Sequence, residues 1–200
     1  LTDAEGNMEK AIDLLREKGL AAATKKAGRI AAEGVAFACT NDDNTAGVVI
    51  EVNAETDFVA KNAEFQNFVK ICADTVMQEN PADLDALLAC KAAGTDMTVE
   101  ALVQDKVLTI GENIKIRRFV RYEGVVATYI HGGGRIGVLV AAEGASGDAV
   151  KEALTNIAMQ IAAMNPEYIS RNDMSADELA KLREIIVDSA LNDPATLPKP

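Results

Sequence analysis

The sequence predicts an α+β protein made of two related subdomains, each a small antiparallel sheet covered by helices. When the sequence is compared with itself at an offset of 90 residues, "EGVAFA" from Glu33 falls on "EGVVAT" from Glu123. At the same offset, "GVVI" from Gly47 falls on "GVLV" from Gly137. A turn-rich segment joins the two strand-like runs of each copy, and an amphipathic helix follows them. This order is typical of a hairpin that packs against a helix.

Composition limits the classes of function. The chain has 200 residues, of which 48% are apolar, so it is long enough for one large domain or two small ones. Its net charge of −11 argues against a general nucleic-acid binder. No apolar run is long enough to cross a bilayer, and we expect no membrane contact. Three cysteines without a C-x-x-C pair and a single histidine argue against a metal centre. We expect no metal, no cofactor, and reduced thiols in the cytoplasm.

The first predicted element is an amphipathic helix that starts between Asp3 and Asn7 and ends at Gly19. Its apolar positions share one helical face; they are Met8, Ala11, Ile12 and Leu15. An Ala-rich stretch with a basic face follows, and it is predicted to be a helical or irregular linker. Because one amphipathic helix has no partner inside this segment, we interpret residues 1–31 as the end of a helical module plus a linker.

Residues 32–122 are assigned to the first subdomain. The helix after its hairpin has apolar residues at i, i+3, i+4 and i+7 spacing; they are Phe65, Phe68, Val69, Cys72, Ala73 and Val76. It is expected to stop at Asn80, because Pro81 disfavours helical geometry in the residue before it. A second helix, "TVEALVQDKVLTIGEN", and a third strand, "NIKIRRFVRY", complete the subdomain.

Residues 123–172 are assigned to the second subdomain, which has only two predicted strands and is interpreted as incomplete. Its helix is expected to stop at Asn165-Pro166, and its apolar positions are Val150, Leu154, Ile157, Ala158 and Ile161. A further helix is predicted from residue 173, with Ser175 as its N-cap and Glu178 completing a capping box. The Pro-rich end "PATLPKP" is interpreted as an interrupted element.

The strand "KIRRFVRY" from Lys115 is the first candidate binding surface. Alternation places Lys115, Arg117 and Arg121 on one face with Phe119. The opposite face would hold Ile114, Ile116, Val120 and Arg118. A basic strand with an aromatic ring could hold RNA. The acidic net charge favours instead a solvated face whose cations pair with acids such as Glu51 and Glu55. RNA binding through Lys115–Arg121 remains the alternative function.

The second candidate is His131, which precedes three glycines. The run resembles the oxyanion-hole loop of α/β-hydrolases, but the G-x-S-x-G elbow and a second histidine are missing from the sequence. The glycines are better explained by a tight hairpin turn. An exposed hairpin tip either does nothing or contacts a partner, and position alone favours an idle role for His131.

The third candidate is "EVNAETDFVAKN", from Glu51 to Asn62. Phe58 lies seven residues before Phe65, which is nearly two helical turns, so periodicity alone slightly favours a buried ring. Lys61 and Asn62 interrupt that stripe, and Asn62 is a good N-cap for a new helix. Thr56–Lys61 can therefore form a separate turn whose ring anchors a partner. At the offset of 90 residues, the second copy has no aromatic there, which argues against a shared core role.

These residues closely resemble the signature of the bacterial translation elongation factor Ts family. The stretches "GLAAATKKAGRIAAEG", "IGENIKIRRF", "YIHGGGRIGVLVAAEG" and "IAMQIAAMNPEYI" resemble further segments of that family, in the same order. The resemblance covers nearly the whole chain. It implies an exchange factor, not an enzyme, that binds elongation factor Tu in its GDP form and speeds GDP release.

The resemblance also implies which residues act. The first subdomain would contact the GTPase domain of elongation factor Tu, and the second would contact a β-barrel domain. Within the first, Thr56, Asp57, Phe58 and Val59 would bind the partner. The Asp57-Phe58 pair would enter near the Mg²⁺ site and displace the ion. The family's hairpin-tip histidine matches His131, which favours a contact with the partner there.

The resemblance further implies a chain truncated at both ends. Residues 1–31 would be the last helix of a ubiquitin-associated-like module plus a linker. Residues 173–200 would begin a helical-hairpin, coiled-coil excursion, after which a returning strand would complete the second sheet. In the full-length protein this region could form a homodimer. The expected location is the cytoplasm, or an organelle matrix if the source is organellar.

Overall fold

A computed structural model of the chain describes residues 2–5, 7–144 and 146–193. The predicted Pro-rich end, residues 194–200, lies outside the described residues. The chain divides into two compact units, Leu1–Ala163 and Met164–Pro200. Helices and two small antiparallel sheets make up the fold, so the predicted α+β class is confirmed. In the part of the chain that is described, no helix combines the length and apolarity needed to cross a membrane.

The first unit contains both sheets and most helices. Its elements, in chain order, are a 3-10 turn (Thr2–Ala4), α1 (Met8–Lys26), β1 (Glu33–Thr40), β2 (Ala46–Ala54), α2 (Asp57–Ala60), α3 (Ala63–Glu79), α4 (Leu84–Ala89), α5 (Val99–Ile110), β3 (Lys115–Glu123), β4 (Val125–His131), β5 (Ile136–Ala142) and α6 (Asp148–Met164). Both hairpins predicted from the internal repeat are present.

The first sheet has the antiparallel order β1-β2-β3, with β2 in the centre. One face of β2 is buried; it carries Val48, Ile50, Val52 and Ala54. These side chains share a core with α3, whose six predicted apolar residues are all fully buried. The helix ends at Asn80, which adopts a left-handed conformation with φ of 46°. The predicted three strands, helix face and stop before proline are thus confirmed.

The second sheet is the β4–β5 hairpin, and it packs on the other face of the first sheet. Two glycines make this close approach possible. A Cβ at Gly47 would lie only 2.5 Å from Cδ1 of Leu139, and one at Gly137 would lie 3.1 Å from Cβ of Ala36. An added methyl group at Gly47 would require the Leu139 side chain to move, and one at Gly137 would crowd Ala36 of β1.

The predicted end of the first helix is wrong. Helix α1 continues through Gly19 to Lys26, and Gly19 is buried against α5. A Cβ at Gly19 would lie 3.6 Å from the backbone oxygen of Gln104, so the glycine marks a helix contact instead of a C-cap. At the far end, Lys26 Nζ donates to the Val107 carbonyl at 3.0 Å. The predicted apolar face is largely exposed; Met8, Ile12 and Leu15 are its exposed residues.

The predicted alternation of β3 is also wrong in its second half. The register shifts between Glu51 and Val52, which pair with Arg118 and Ile116 respectively, so one residue of β3 is extra. Such a β-bulge reverses the side-chain alternation beyond it. Consequently, Phe119 packs against the core, where the sequence placed Val120.

Helix α6 buries a narrower strip than predicted. Leu154 and Ala158 are buried and Val150 and Ile161 are half-buried, but Ile157 is exposed. The helix stops before Asn165, which has φ of 45°, as the Asn-Pro pair predicted.

The second unit contains a 3-10 turn (Arg171–Asp173) and α7 (Ala176–Asn192). Ser175 caps α7 as predicted and accepts from the Glu178 N–H at 3.3 Å. The reciprocal capping box lies one turn earlier, between Ser170 and Asp173. The predicted capping box of Ser175 and Glu178 is therefore wrong: the Glu178 carboxylate accepts from the hydroxyls of Tyr168 and Ser175, at 2.7 and 3.3 Å, and not from the Ser175 N–H.

Burial makes Cys72 a protected thiol. It is fully buried in the first unit, and this desolvation raises the pKa of the thiol to about 12. Because the thiolate is the reactive form, we expect iodoacetamide to modify Cys72 at least ~10-fold more slowly in the folded chain than in guanidinium chloride. Mass spectrometry of tryptic peptides would measure both rates. Equal rates would contradict the burial of this side chain.

Candidate functional site

The TDFV segment forms its own single turn of helix. Thr56 caps α2 in an extended conformation, and its hydroxyl oxygen accepts from the Val59 N–H at 3.4 Å. The turn closes when the Lys61 N–H donates to the Asp57 carbonyl at 3.2 Å. Asn62 then caps α3. The predicted break between the two helices is confirmed.

Phe58 points away from the protein, with 82% of its surface exposed. On the same turn, Ala60 is buried and Val59 packs against the core. The chain changes direction at Asn62, so Phe58 and the fully buried Phe65 do not share a helical face. The burial of Phe58 that periodicity favoured is therefore wrong, and the alternative of a separate turn with an outward ring is the observed one.

Glu112 holds the start of this turn. Its Oε2 accepts from the backbone N–H groups of Glu55 and Thr56 at 3.0 and 3.1 Å. Its Oε1 accepts from the Thr56 hydroxyl at 2.7 Å. Glu112 follows Gly111, which ends α5 in a left-handed conformation with φ of 89°. A residue more than fifty positions away in sequence thus fixes the N-cap of α2.

The carboxylate of Glu55 makes the reverse contact, with the segment that contains Glu112. Glu55 Oε1 accepts from the Asn113 N–H at 2.6 Å and from Arg29 Nη1 at 3.4 Å. Asn113 is buried, and its Nδ2 donates to the Arg29 carbonyl at 2.7 Å. The sequence predicted that Glu55 would pair with a cation of the basic strand, and this is wrong because Arg29 of the linker is its partner. The roles of Glu112 and Asn113 were not predicted from the sequence. The only signal for them was that an acid and an amide directly follow the glycine that caps the C-terminus of α5.

Asp57, beside Phe58, forms an ion pair within the turn. Lys61 Nζ lies 2.6 Å from Asp57 Oδ2, and both side chains are more than half exposed. The hydrogen bond from Lys61 holds the pKa of the Asp57 carboxyl below its usual value, and the charge of Arg135 lowers it further. The carboxylate therefore stays ionised, next to an exposed aromatic ring, at any pH near neutrality.

We expect Lys61→Met to raise the pKa of Asp57 toward its usual value. A lowered folded pKa adds stability above the unfolded pKa, and this stability is lost as pH falls through the folded value. The variant should therefore lose the stability that the ionised Asp57 contributes above its unfolded pKa, including at neutral pH. NMR titration of the Asp57 carboxyl carbon measures the shift. Lys70→Met, which breaks the equivalent i,i+4 pair with Asp74, should leave Asp57 unchanged. An unaltered Asp57 titration in Lys61→Met would contradict the assignment.

His131 lies at the exposed tip of the β4–β5 hairpin, and its Nδ1 is 3.1 Å from the Tyr129 hydroxyl. The three following glycines have φ between 61° and 96°, as the predicted tight turn requires. The tip is fastened to β1, since the Ala36 N–H donates to the Gly134 carbonyl at 2.7 Å. Helix α2 also contacts β1. The structure thus places both candidate segments against one edge strand.

The basic strand is largely paired with acids. Glu51 accepts from Arg118 Nε at 2.7 Å and from Arg117 Nη1 at 3.1 Å, as the sequence predicted for Glu51. Partial burial raises the pKa of the Glu51 carboxyl, but hydrogen bonds from Arg118 and Asn53 outweigh this and hold it below its usual value.

Two further cations of this strand also have partners. Arg121 Nη1 donates to Glu123 at 2.7 Å, and Lys115 Nζ donates to the Ala27 carbonyl at 2.9 Å. Paired cations have less charge available for phosphates. Across residues 2–5, 7–144 and 146–193, no group of three or more metal-ligating side chains comes together.

Comparison with known proteins adds a family to this geometry. The profile described as Elongation factor TS matches residues 55–200. The chain is 50% identical over 196 residues to elongation factor Ts of Syntrophotalea carbinolica, which covers 96% of this chain and 64% of that protein. Identity to the elongation factor Ts of Trichlorobacter lovleyi is 48% over 194 residues, covering 92% and 62%. For that of Clostridioides difficile it is 48% over 196 residues, covering 96% and 64%.

The chain thus spans 62 to 64% of the length of these relatives. The residues that match the profile include α2, the β4–β5 hairpin, α6 and α7. The chain belongs to the elongation factor Ts family of translation elongation factors.

Proposed function

We propose that this chain is a guanine nucleotide exchange factor for elongation factor Tu and acts by binding alone. The observation that carries the proposal is Phe58, a large ring left 82% exposed on a turn whose backbone is fixed. Burying a Phe side chain is worth about 1.5–3 kcal/mol. A ring held outward at a fixed position is suited to fill a pocket on a partner, and the elongation factor Ts family implies elongation factor Tu as that partner.

The proposed mechanism is mechanical and electrostatic. A GTPase holds GDP through the backbone N–H groups of its P-loop and through Mg²⁺ that bridges the phosphates. Insertion of the Phe58 ring, with Asp57 beside it, would separate the elements that position the Mg²⁺ ligands. Loss of the ion removes charge compensation from the phosphates, and GDP leaves faster. No covalent bond is made or broken.

Exchange also requires differential affinity. A ligand shifts an equilibrium only by the difference between its affinities for the two states. Helix α2 must therefore bind the nucleotide-free partner more tightly than the GDP-bound partner. A rigid turn suits this task because its ring cannot adapt equally well to both shapes of the pocket.

The remaining parts of the proposal concern the larger surface. Residues 32–122 would meet the GTPase domain through Thr56–Val59, and residues 123–172 would meet a β-barrel domain, with His131 as an added contact. Residues 1–31 would belong to a ubiquitin-associated-like module and residues 173–200 to a helical hairpin used for homodimerisation. The site of action would be the cytoplasm.

The deciding experiment is release of a fluorescent GDP analogue from elongation factor Tu, chased with unlabelled GDP. We expect this chain to accelerate release in proportion to its concentration. Release rates that are the same with and without the chain would refute the proposal. The RNA-binding alternative predicts instead an association that weakens steeply with salt and survives Phe58→Ala.

A further inference from the structure

We infer that Glu112 is a positioning residue for exchange, because its carboxylate holds the turn that presents Asp57 and Phe58. This inference rests on the proposed function and assigns to it a residue that itself need not touch the partner. Glu112 accepts three hydrogen bonds, at 2.7 to 3.1 Å, from Glu55 and Thr56. The observation that carries the inference is the meeting of this carboxylate with the N-cap of α2.

Helix α2 needs an external support. It has four residues, and so short a helix does not form by its own hydrogen bonds. Its outward ring adds nothing to its anchoring, since Phe58 is exposed. The backbone N–H groups just before the helix need acceptors, and Glu112 supplies them.

The carboxylate also orients the capping hydroxyl. The Thr56 hydroxyl donates its only proton to Glu112, so its lone pairs remain free to accept from the Val59 N–H. Without Glu112, the hydroxyl proton of Thr56 would point to other acceptors. The hydroxyl oxygen would then no longer be held where it accepts from the Val59 N–H. Glu112 thus acts on Phe58 through Thr56.

Position 112 requires a side chain that accepts hydrogen bonds and donates none. Three N–H or O–H groups converge on the two oxygens of Glu112, and an ionised carboxylate only accepts. A glutamine at this position would place an NH₂ group against one of these donors. Charge also strengthens each bond, since hydrogen bonds to carboxylates are stronger than those to neutral groups.

Glu112 is itself well anchored. It stands between Gly111, the C-cap of α5, and the buried Asn113. Asn113 donates its N–H to Glu55, so each of the two segments offers a carboxylate to the backbone of the other. This reciprocal pair ties α2 to α5, which belongs to the core.

A support of this kind lowers the cost of binding. A turn that is already ordered does not have to be ordered when the partner closes on it. Removing Glu112 should therefore slow exchange without removing any group that meets the partner. If Glu112 acts only by presenting Phe58, its loss should matter little once the ring is absent.

The test combines two measurements on Glu112→Ala and Glu112→Gln. Hydrogen exchange followed by NMR reports the N–H groups of Glu55 and Thr56 in the free chain. Fluorescent GDP release from elongation factor Tu reports function, for each variant alone and in the Phe58→Ala background. Glu51→Gln is the matched control, because Glu51 also accepts three hydrogen bonds, and these come from Asn53 of β2 and from Arg117 and Arg118 of β3.

We expect both amides to exchange at least ~10-fold faster in Glu112→Ala, and GDP release to slow by about 10-fold. In the Phe58→Ala background, the same change should slow release by less than about 2-fold. The control should keep its release rate within about 2-fold of the parent chain's. Glu112→Gln should lie between the parent and Glu112→Ala.

Three results would overturn the inference. The first is parental GDP release in Glu112→Ala. The second is an equal loss in both backgrounds, which would indicate general destabilisation. The third is unchanged protection of the two amides. If Glu112→Ala does not fold, the isosteric Glu112→Gln decides by the same criteria. If the parent chain itself fails to speed release, the inference falls together with the proposed function, and the amide protection shows whether the contact exists regardless.

Discussion

Phe58→Ala should slow GDP release from elongation factor Tu by about 30-fold or more while the fold stays intact. Hot-spot side chains at protein interfaces contribute ~2 kcal/mol or more on truncation to alanine, and this energy corresponds to that change in rate. The ring is the only large apolar group that α2 turns outward. Removing it leaves Asp57 in place but removes the wedge.

The same substitution should barely change stability. Phe58 is 82% exposed, so alanine removes little that the folded chain buries. Surface substitutions of this kind usually change the free energy of unfolding by about 0.5 kcal/mol or less. The two results together separate a partner-binding ring from a structural one, since a structural ring would lose stability and activity in parallel.

The measurement pairs fluorescent GDP release with urea unfolding. Tyr122→Ala is a matched control, because Tyr122 is also an exposed aromatic residue of the first unit but lies on β3, away from α2. With Tyr122→Ala, elongation factor Tu should release GDP as fast as it does with the parent chain. A Phe58→Ala chain as active as its parent would refute the role of the ring.

The main elements could be predicted because local patterns determine them. The six apolar positions of α3 follow one helical face, and all of them are buried. Proline after Asn80 and Asn165 stops two helices for a local steric reason. The break at Asn62 was visible as well, because a capping residue interrupts the apolar stripe there. Each of these signals lies within a few residues of its effect.

The errors arose where distant parts of the chain meet. Gly19 looks like a helix end, but it lies inside α1, where it packs against α5. The β3 bulge depends on how that strand pairs with β2, which no pattern within β3 reveals. Glu112 is the same case at the candidate site, because its three donors lie at Glu55 and Thr56. Local sequence patterns predict where a turn or a buried face lies, whereas the contacts that hold it in place come from distant residues.

Phe65→Ala, seven residues from Phe58, should have the opposite outcome. Phe65 is fully buried in the core of the first unit, and its ring centroid lies 6.4 Å from that of Phe68. Truncating a buried Phe to Ala costs about 3–5 kcal/mol, since it removes apolar burial and leaves a cavity. A loss of this size is a large part of a domain's total stability of roughly 5–15 kcal/mol.

Denaturant unfolding should therefore show a midpoint well below the parental one. At low temperature and low denaturant, where the chain remains folded, GDP release per folded molecule should stay close to that of the parent, because α2 and Glu112 are unaltered. A decrease in the free energy of unfolding of less than about 1 kcal/mol would contradict the burial of this ring. Phe58 and Phe65 are nearly two helical turns apart in sequence, but the chain turns at Asn62 between them. Loss of the first ring should therefore reduce binding, and loss of the second should reduce stability.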